Sequence, residues 1–416
     1  MSTLEEQTQG DVLAGEEDGG SASLTTPARL GAYVRRGGVI VPILTTLIAF
    51  IAGGLVVLVT GHDPFSTYKA IFDGTGLQWV FPWVTGSARS TAAFNLQQTL
   101  IATTPLILVG LAVAFAFRAG LFNIGGQGQY TVGGIVAVWL GSSFAGLPPV
   151  LHITVAVVGA ALAGAVWAGI AGALKASLGV NEVISTIMLN WIAIWAGVYL
   201  FGLGGPLQDA HQPSVPTSSS VSASAKLPVF WGNAQLQGLH IGLFIALAAA
   251  VVFWVLLNRT RLGYEVRAVG LNPDAASYAG MSVARNYFRA MAICGAFAGI
   301  AAAMDILGWK FSLFTNDIQA SSVGFLGIAV ALLGRNTAIG TVLAALLFGA
   351  LQTGTSDRFL DPSVFNPNLA SNLTWMIQGL IVLLVSTDVI ALKVLHSGRG
   401  VSLVFKRRAA REEAGR

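Results

Sequence analysis

Long apolar stretches separated by short polar segments dominate the chain. Ten of them come close to the roughly 20 residues that cross a bilayer as a helix. These candidate spans cover residues 39–60, 96–117, 124–142, 150–174, 183–204, 240–257, 289–308, 322–334, 338–355 and 373–392. The eighth is the shortest, and is either a short span or a segment that does not fully cross. The pattern predicts an all-α polytopic membrane protein with about ten transmembrane helices.

The composition supports this class and excludes several others. Charged residues make up 10% of the 416 residues, whereas soluble proteins carry roughly 25%. The mean hydropathy is +0.70. So little charge cannot cover a soluble surface of this size, and the one cysteine, Cys294, cannot form an internal disulfide. A soluble enzyme, a disordered chain and a disulfide scaffold are therefore excluded.

The basic residues predict the orientation. With ten spans the two termini share one side, and most of the 23 lysines and arginines fall in segments on that side. Such a bias marks the cytoplasmic side of a membrane protein. We therefore expect a multi-pass protein of the cell membrane, in contact with lipid, with both termini in the cytoplasm. Because the basic residues are spread over separate short loops, nucleic acid is not expected as a partner.

The polar segments divide the chain further. Residues 1–36 are acidic and rich in Gly, Ser and Thr, which predicts a disordered cytoplasmic tail. Residues 37–395 are expected to form the transmembrane domain, and 396–416 a basic cytoplasmic tail. Two long outer loops are expected at 61–95 and 205–239. Each is either a solvated surface or a docking surface for an external partner.

A weak internal repeat links the two halves of the chain. TVGGIVAVWLG at 131–141 is similar to SVGFLGIAVALLG at 322–334, and a Gly/Ala-rich span follows each. The similarity would relate spans two to five to spans seven to ten, although Gly/Ala bias alone can produce it. Transporters are often built from such repeats, with substrate handled where the repeats meet.

Four amide side chains are the candidate translocation-path residues. Asn123, Gln127 and Gln129 lie among glycines where the third span begins, and Asn190 lies inside the fifth. An amide buried in lipid without a partner is costly, so each should face protein or a water-filled path. Two interpretations stay open for all four: packing between helices, or contact with a transported substrate.

The largest inner loop, 258–288, contains a predicted short helix. Asn272 is its expected N-cap, Pro273 its first residue and Asp274 an acid in the first turn, while Gly280 can end it. So short a helix needs a surface to pack against. That surface is either the membrane domain of the same chain or a cytoplasmic partner.

The same loop carries a family resemblance. The pattern T-x-L-G-x-x-x-R-A-V-G-x-N-P-x-A-A-x-Y-A-G-M at 260–281 resembles the cytoplasmic loop of permease subunits in bacterial ATP-binding-cassette (ABC) importers of the branched-chain amino acid/ribose superfamily. LFNIGGQGQ and GVNEVISTIMLNWIA are similar to its nucleoside and simple-sugar permeases. The resemblance covers roughly 96–395. Those permeases usually have a carboxylate where this chain has Gln127.

The resemblance implies a type II-like importer fold and a set of partners. These are an ABC ATPase, a second permease subunit (identical or different) and an extracytoplasmic substrate-binding protein. It also implies ATPase coupling through the inner loop, by Arg267, Gly270, Asn272, Pro273, Asp274, Ala275, Ala276 and Gly280.

We therefore predict the permease subunit of a nucleoside importer. The alternatives are a permease for a simple sugar (ribose- or galactose-like) and an ion-coupled carrier. The last is disfavoured because Asp305 is the lone acid in or near a predicted span core. No Walker A motif, catalytic constellation or metal-ligand spacing occurs in the sequence, so neither enzymatic activity nor a cofactor or metal is expected.

Overall fold

Helices make up most of the computed structural model, which describes residues 40–144, 146–233, 237–356, 359 and 366–386. The helices are α1 (Ile40–Val59), α2 (Pro64–Thr75), α3 (Gly86–Arg118), α4 (Gly126–Ser143), α5 (Pro149–Leu178), α6 (Glu182–Phe201), α7 (Gly242–Arg259), α8 (Arg261–Leu271), α9 (Pro273–Tyr278), α10 (Val283–Asp305), α11 (Thr315–Ala320), α12 (Val323–Leu333), α13 (Ala338–Gly354) and α14 (Pro367–Ser386). One antiparallel strand pair is described, β1 (Val229–Trp231) with β2 (Leu239–His240). The predicted tails 1–36 and 396–416 lie outside the described residues.

The all-α polytopic architecture is confirmed, and each of the ten predicted spans coincides with a helix. Within the described residues, seven helical segments are long and apolar enough to cross a membrane, and α13 and α14 contain shorter apolar helices. The eighth predicted span is α12, whose 11 residues follow the short helix α11. These two helices together form one of the seven candidate segments, Thr315–Leu333.

The helix α3 extends well beyond its predicted span, and the segment predicted as the first outer loop contains helical structure. The helix α3 begins at Gly86, although the apolar stretch starts only near residue 96. Hydropathy marks the part of a helix that lies in lipid, while backbone hydrogen bonding continues it into water. The helix α2 occupies much of the remaining segment, and the Asp63 carboxylate caps it by accepting from the backbone of Phe65 and Ser66.

The packing of the helices matches the proposed repeat. The helix α3 packs on α12 and α13 in the same way that α10 packs on α4 and α5. Both central helices, α3 and α10, are largely buried. Because the two sets are five predicted spans apart, an odd number, we expect them to run through the membrane in opposite directions, as in the inverted repeats of other transporters.

Small residues allow the closest helix contact, between α5 and α10. A Cβ on Gly295 would lie 2.0 Å from the Gly164 carbonyl oxygen, and one on Gly299 would lie 2.1 Å from that of Ala160. These distances leave no room for any side chain, so the two backbones touch directly. Such close approach through small residues is a typical way in which membrane helices associate.

Candidate functional site

The chain crosses part of the membrane domain without helical structure just before α4. Residues 121–124 have no regular secondary structure, and Asn190, eight residues into α6, contacts the segment on both sides. Its side-chain nitrogen donates to the Ile124 carbonyl at 3.0 Å, and its Oδ1 accepts from the Gly128 N–H at 2.7 Å. Eight helical residues span about 12 Å. The start of α4 therefore lies at the depth of the middle of α6.

Asn123 and Gln129 stabilise the same turn from within. Gln129 Nε2 donates to Asn123 Oδ1 at 3.0 Å, and Asn123 Nδ2 donates to Gln129 Oε1 at 3.2 Å. The Gly125 N–H also donates to Asn123 Oδ1, at 2.9 Å. Irregular backbone is tolerated at membrane depth only where protein or water satisfies it. Here the amides of Asn123 and Asn190 satisfy backbone groups, and Gln129 holds the Asn123 amide in place.

Gln127 joins the two repeats. Its Oε1 accepts from the Gly324 N–H at 2.9 Å, at the start of α12. The starts of α4 and α12 occupy corresponding positions in the proposed repeats, and they meet at this residue. The side chain is 0% exposed, and its Nε2 has no hydrogen-bond partner among the described residues.

The structure thus brings all four predicted path residues together at the repeat interface, each of them buried. Asn123, Gln129 and Asn190 have protein partners for both ends of their amides, which supports the packing interpretation. Their contact with a substrate stays a prediction.

A row of exposed aromatic side chains lies on another face of α6. Trp191, Trp195 and Tyr199 are spaced four residues apart and are each more than half exposed. Residues four apart lie on one side of a helix. Interfacial aromatic belts lie near the ends of spanning helices, whereas Trp191 is at the middle of α6. We call this surface the aromatic stripe.

A buried charged group connects the end of α10 to α4. Lys310 Nζ lies 2.7 Å from Asp305 Oδ2, and the Tyr130 hydroxyl on α4 donates to the same carboxylate. A regular helix would place residues 305 and 310 about 140° apart. A π-helical turn at Ile306–Lys310, where the Phe311 N–H donates to the Ile306 carbonyl, brings them closer to one face. Sequence analysis singled out Asp305 but did not identify Lys310 and Tyr130 as its partners.

Backbone hydrogen bonds connect the second predicted outer loop to this π turn. Ser218 and Val221 donate their N–H groups to the carbonyls of Leu313 and Phe311, and Leu227 donates to that of Leu307. The loop is therefore held against the membrane domain next to the Asp305–Lys310 pair.

The predicted inner helix is present, and its caps are confirmed. The helix α9 begins at Pro273, and Asn272 Oδ1 accepts from the Ala275 N–H at 3.0 Å. Gly280 follows the helix with φ +80°, in the left-handed conformation that ends a helix.

The structure adds a second helix, α8, which sequence analysis missed. Thr260 caps it by accepting from the Gly263 N–H at 3.1 Å. Its last turn packs on the bend after α3, since a Cβ on Gly270 would lie 2.4 Å from the Arg118 carbonyl oxygen. The Arg267 Nε donates to the Gly263 carbonyl. Gly270 and Arg267 therefore have structural contacts within the membrane subunit.

One side of α9 faces the protein and the rest is open. Ala276 is buried against the same chain, which supports the interpretation of self-packing for this residue. The remaining residues from 271 to 280 are exposed, with Leu271 at 88% and Tyr278 at 94%. Apolar side chains this exposed at the tip of an ordered loop form a surface suited to a partner.

Glu265 fixes α8 to α10. It accepts from the Asn286 side chain at 3.2 Å and pairs with Arg261 at 3.1 Å. The Asn286 hydrogen bond holds the pKa of this carboxyl below its usual range, and Arg261 acts in the same direction, while partial desolvation opposes both. The inner loop is thus attached at both α3 and α10, the central helices of the two repeats.

Comparison with known proteins places these features in a family. The family model described as branched-chain amino acid transport system/permease component matches residues 95–386. The chain is 40% identical to the guanosine ABC transporter permease protein of Bacillus subtilis, over 85% of this chain and 94% of that one. It is 33% identical to a nucleoside ABC transporter permease protein of Lactococcus lactis, over 87% and 94%.

A sugar-related protein is also similar. The glucose ABC transporter permease protein of Haloferax volcanii is 35% identical over 83% of this chain and 87% of that one. No solved structure matches the chain.

Proposed function

Because the chain belongs to the family of permease components of branched-chain amino acid transport systems, we propose that it forms the membrane path of an ABC importer whose cargo is a nucleoside. The chain is a transporter subunit and not an enzyme, and ATP hydrolysis resides in a separate subunit. The observation that carries the choice of cargo is the 40% identity to a guanosine permease over nearly its full length.

The aromatic stripe on α6 supports a nucleoside cargo. Nucleobases stack on tryptophan and tyrosine with about 1–3 kcal/mol per base. The stripe presents three such rings along the axis of a spanning helix, and they are exposed in the single chain. We place the translocation path there, between this chain and a second permease subunit. The amide cluster of Asn123, Gln127, Gln129 and Asn190 would hold the start of α4 at the edge of that path.

The exposed tip of the inner loop is the proposed docking site of the ATPase. The helix α9 is short, capped and attached through α8 to both central helices, so a displacement at its tip reaches both repeats. Leu271 and Tyr278 would insert into the ATPase, while Ala276 holds α9 on the permease. In this proposal the residues that form and end the docking helix are Asn272, Pro273, Asp274, Ala275 and Gly280. The orientation follows, with both termini in the cytoplasm.

Reconstitution tests the cargo. Proteoliposomes containing the permease pair and its ATPase, supplied with the binding protein outside, should accumulate labelled guanosine when ATP is enclosed. Trp191→Ala and Trp195→Ala should lower uptake, whereas Trp375→Ala, which removes an equally exposed tryptophan from α14, should not. Uptake of glucose or ribose without guanosine would overturn the nucleoside proposal in favour of the sugar alternative, which the Haloferax relative supports.

Co-purification tests the docking site separately. Tyr278→Ala combined with Leu271→Ala should release the ATPase from the purified permease, because both side chains would lose their burial in the partner. Phe65→Ala is the matched control, since this aromatic is equally exposed (87%) but lies on α2 at the opposite side of the membrane. Full ATPase retention by the double variant would refute docking at this tip.

A further inference from the structure

The helices α4 and α12 meet at their N-terminal ends inside the membrane domain. A Cβ on Gly324 would lie 2.2 Å from the backbone nitrogen of Gln127, so the two segments are in direct contact. We call this contact the helix junction. The N-terminal end of a helix carries about half a positive charge. Two such ends at one place produce a positive potential, which attracts electron-rich groups.

The described residues supply no negative charge to the helix junction. The side-chain acceptors for the N–H groups of residues 125–128 and 321–324 are amide oxygens, those of Asn123, Asn190 and Gln127. None of them is a carboxylate. Asp305, the buried acid at the end of α10, is already paired with Lys310. The positive potential of the two helix ends is therefore not neutralised by the described part of the chain.

Gln127 adds a free hydrogen-bond donor at this place. Its Oε1 accepts from the Gly324 N–H at 2.9 Å. Because a backbone N–H can only donate, the end of the amide that faces it is the oxygen, and Nε2 is the end that remains. Nε2 has no partner among the described residues, although the side chain is 0% exposed. A buried donor left unpaired is unfavourable, so its presence in a folded protein needs an explanation.

The helix junction adjoins the aromatic stripe through α6. Asn190 Oδ1 accepts from the Gly128 N–H at 2.7 Å, and Trp191 of the stripe is the next residue of α6. Consecutive residues of a helix are about 100° apart around its axis. The start of α4 and the middle of the stripe therefore flank the same turn of α6. The helix junction thus borders the surface on which we place the translocation path.

We propose that Gln127 Nε2 is a specificity-determining donor that binds the carbonyl oxygen of a nucleobase at the helix junction. The inference rests on the proposed function and deepens it. Gly324 packs directly on Gln127, so a movement of α4 relative to α12 uncovers the amide to the cargo. A carbonyl oxygen accepts from Nε2 and is stabilised by both helix ends. An amino group there would meet a donor and a positive potential, so the site selects against it.

Paired uptake of two nucleosides tests the proposal. Guanosine and 2,6-diaminopurine riboside differ along one edge of the base, where the first has a carbonyl oxygen at position 6 and the second an amino group. Both are offered together to proteoliposomes that contain the permease pair, its ATPase and the binding protein. Because the same binding protein serves every variant, a change in the preference for guanosine reports on the permease. Gln127→Met should lower this preference about tenfold, the factor that one ordinary hydrogen bond supplies.

Two more variants separate recognition from packing. Gln378→Met is the matched control, because it removes another buried amide without partners among the described residues, from α14. It should keep the wild-type preference. Gln127→Glu keeps an acceptor for the Gly324 N–H but replaces the free donor with an acceptor. It should therefore lower the preference for guanosine further than Gln127→Met does.

The outcomes distinguish this inference from the proposed cargo. Equal loss of both nucleosides in Gln127→Met, with an unchanged preference, would overturn the inference and assign Gln127 to packing. A wild-type preference in Gln127→Glu, or a loss of preference in Gln378→Met as large as in Gln127→Met, would also overturn it. In these cases the wild type still accumulates guanosine. A wild type that accumulates neither nucleoside would overturn the cargo and this inference together.

Discussion

Asn190 and Gln127 are both buried amides, yet their replacement by apolar residues of similar shape should have different consequences. Asn190→Leu leaves the Gly128 N–H without its acceptor and the Ile124 carbonyl without its donor. Each buried group left without a partner costs about 1–3 kcal/mol, with the lower part of that range typical inside membrane proteins. We expect the free energy of unfolding to fall by about 2–4 kcal/mol.

Gln127→Met should cost much less. It removes the acceptor of the Gly324 N–H, which is unfavourable by a similar amount. It also removes a buried amide nitrogen that has no partner among the described residues, which is favourable. The two effects largely cancel, so the expected change in unfolding free energy is within about 1 kcal/mol.

Equilibrium unfolding in mixed detergent–SDS micelles measures both variants under one condition. Asn258→Ala is a control for the loss of an amide at an exposed position, where its one local hydrogen bond runs to the Trp254 carbonyl. Losses of equal size for Asn190→Leu and Gln127→Met would refute the reasoning. Two small losses would mean that the non-helical segment before α4 does not depend on Asn190, and two large losses would mean that the Gln127 amide nitrogen is not a cost to the folded state.

Three further predictions follow from other contacts. Gly299→Leu should abolish the monodisperse folded peak in detergent gel filtration, because its Cβ would lie 2.1 Å from a backbone oxygen of α5, while Gly379→Leu, with nothing within 4 Å, should keep it; equal profiles would contradict the contact. Lys310→Met should lower the free energy of unfolding by about 3–5 kcal/mol, because it leaves the buried Asp305 without its cation. Adding Asp305→Asn should restore part of the lost free energy. No recovery in the double variant would show that the ion pair does not stabilise the fold. The pKa of Glu265 is below its ordinary value of 4.5, so its stabilising contribution is complete above that pH and is lost as the pH falls through the lowered value; Glu265→Gln should flatten the acid limb of thermal stability, and an unchanged limb would argue against this role.

Hydropathy predicted the spans because lipid imposes a simple rule on composition, which α3, α5, α6, α7 and α10 obey. Cap chemistry predicted α9, because Asn272 and Pro273 act on neighbours within three residues. The same local logic, applied to Asp63 and Thr260, would have found α2 and α8.

The role of the amide cluster was less accessible to sequence reasoning. The partners of Asn190 lie more than 60 residues away, and Gln127 meets Gly324 across the two repeats. Such contacts depend on how whole helices pack. Sequence analysis identified these residues but left open whether they serve packing between helices or contact a substrate, and the geometry favours packing for three of the four.

The backbone contact between α5 and α10 limits how this protein can change shape. Shear between packed helices requires side chains that can exchange rotamers as the helices slide. Where Gly164 meets Gly295 there are no side chains to exchange. The two helices must therefore travel as one rigid body, and distances measured across them should be invariant through the transport cycle. Two spectroscopic labels, one on α5 and one on α10, would therefore give a fixed reference distance for measuring the movement of α6.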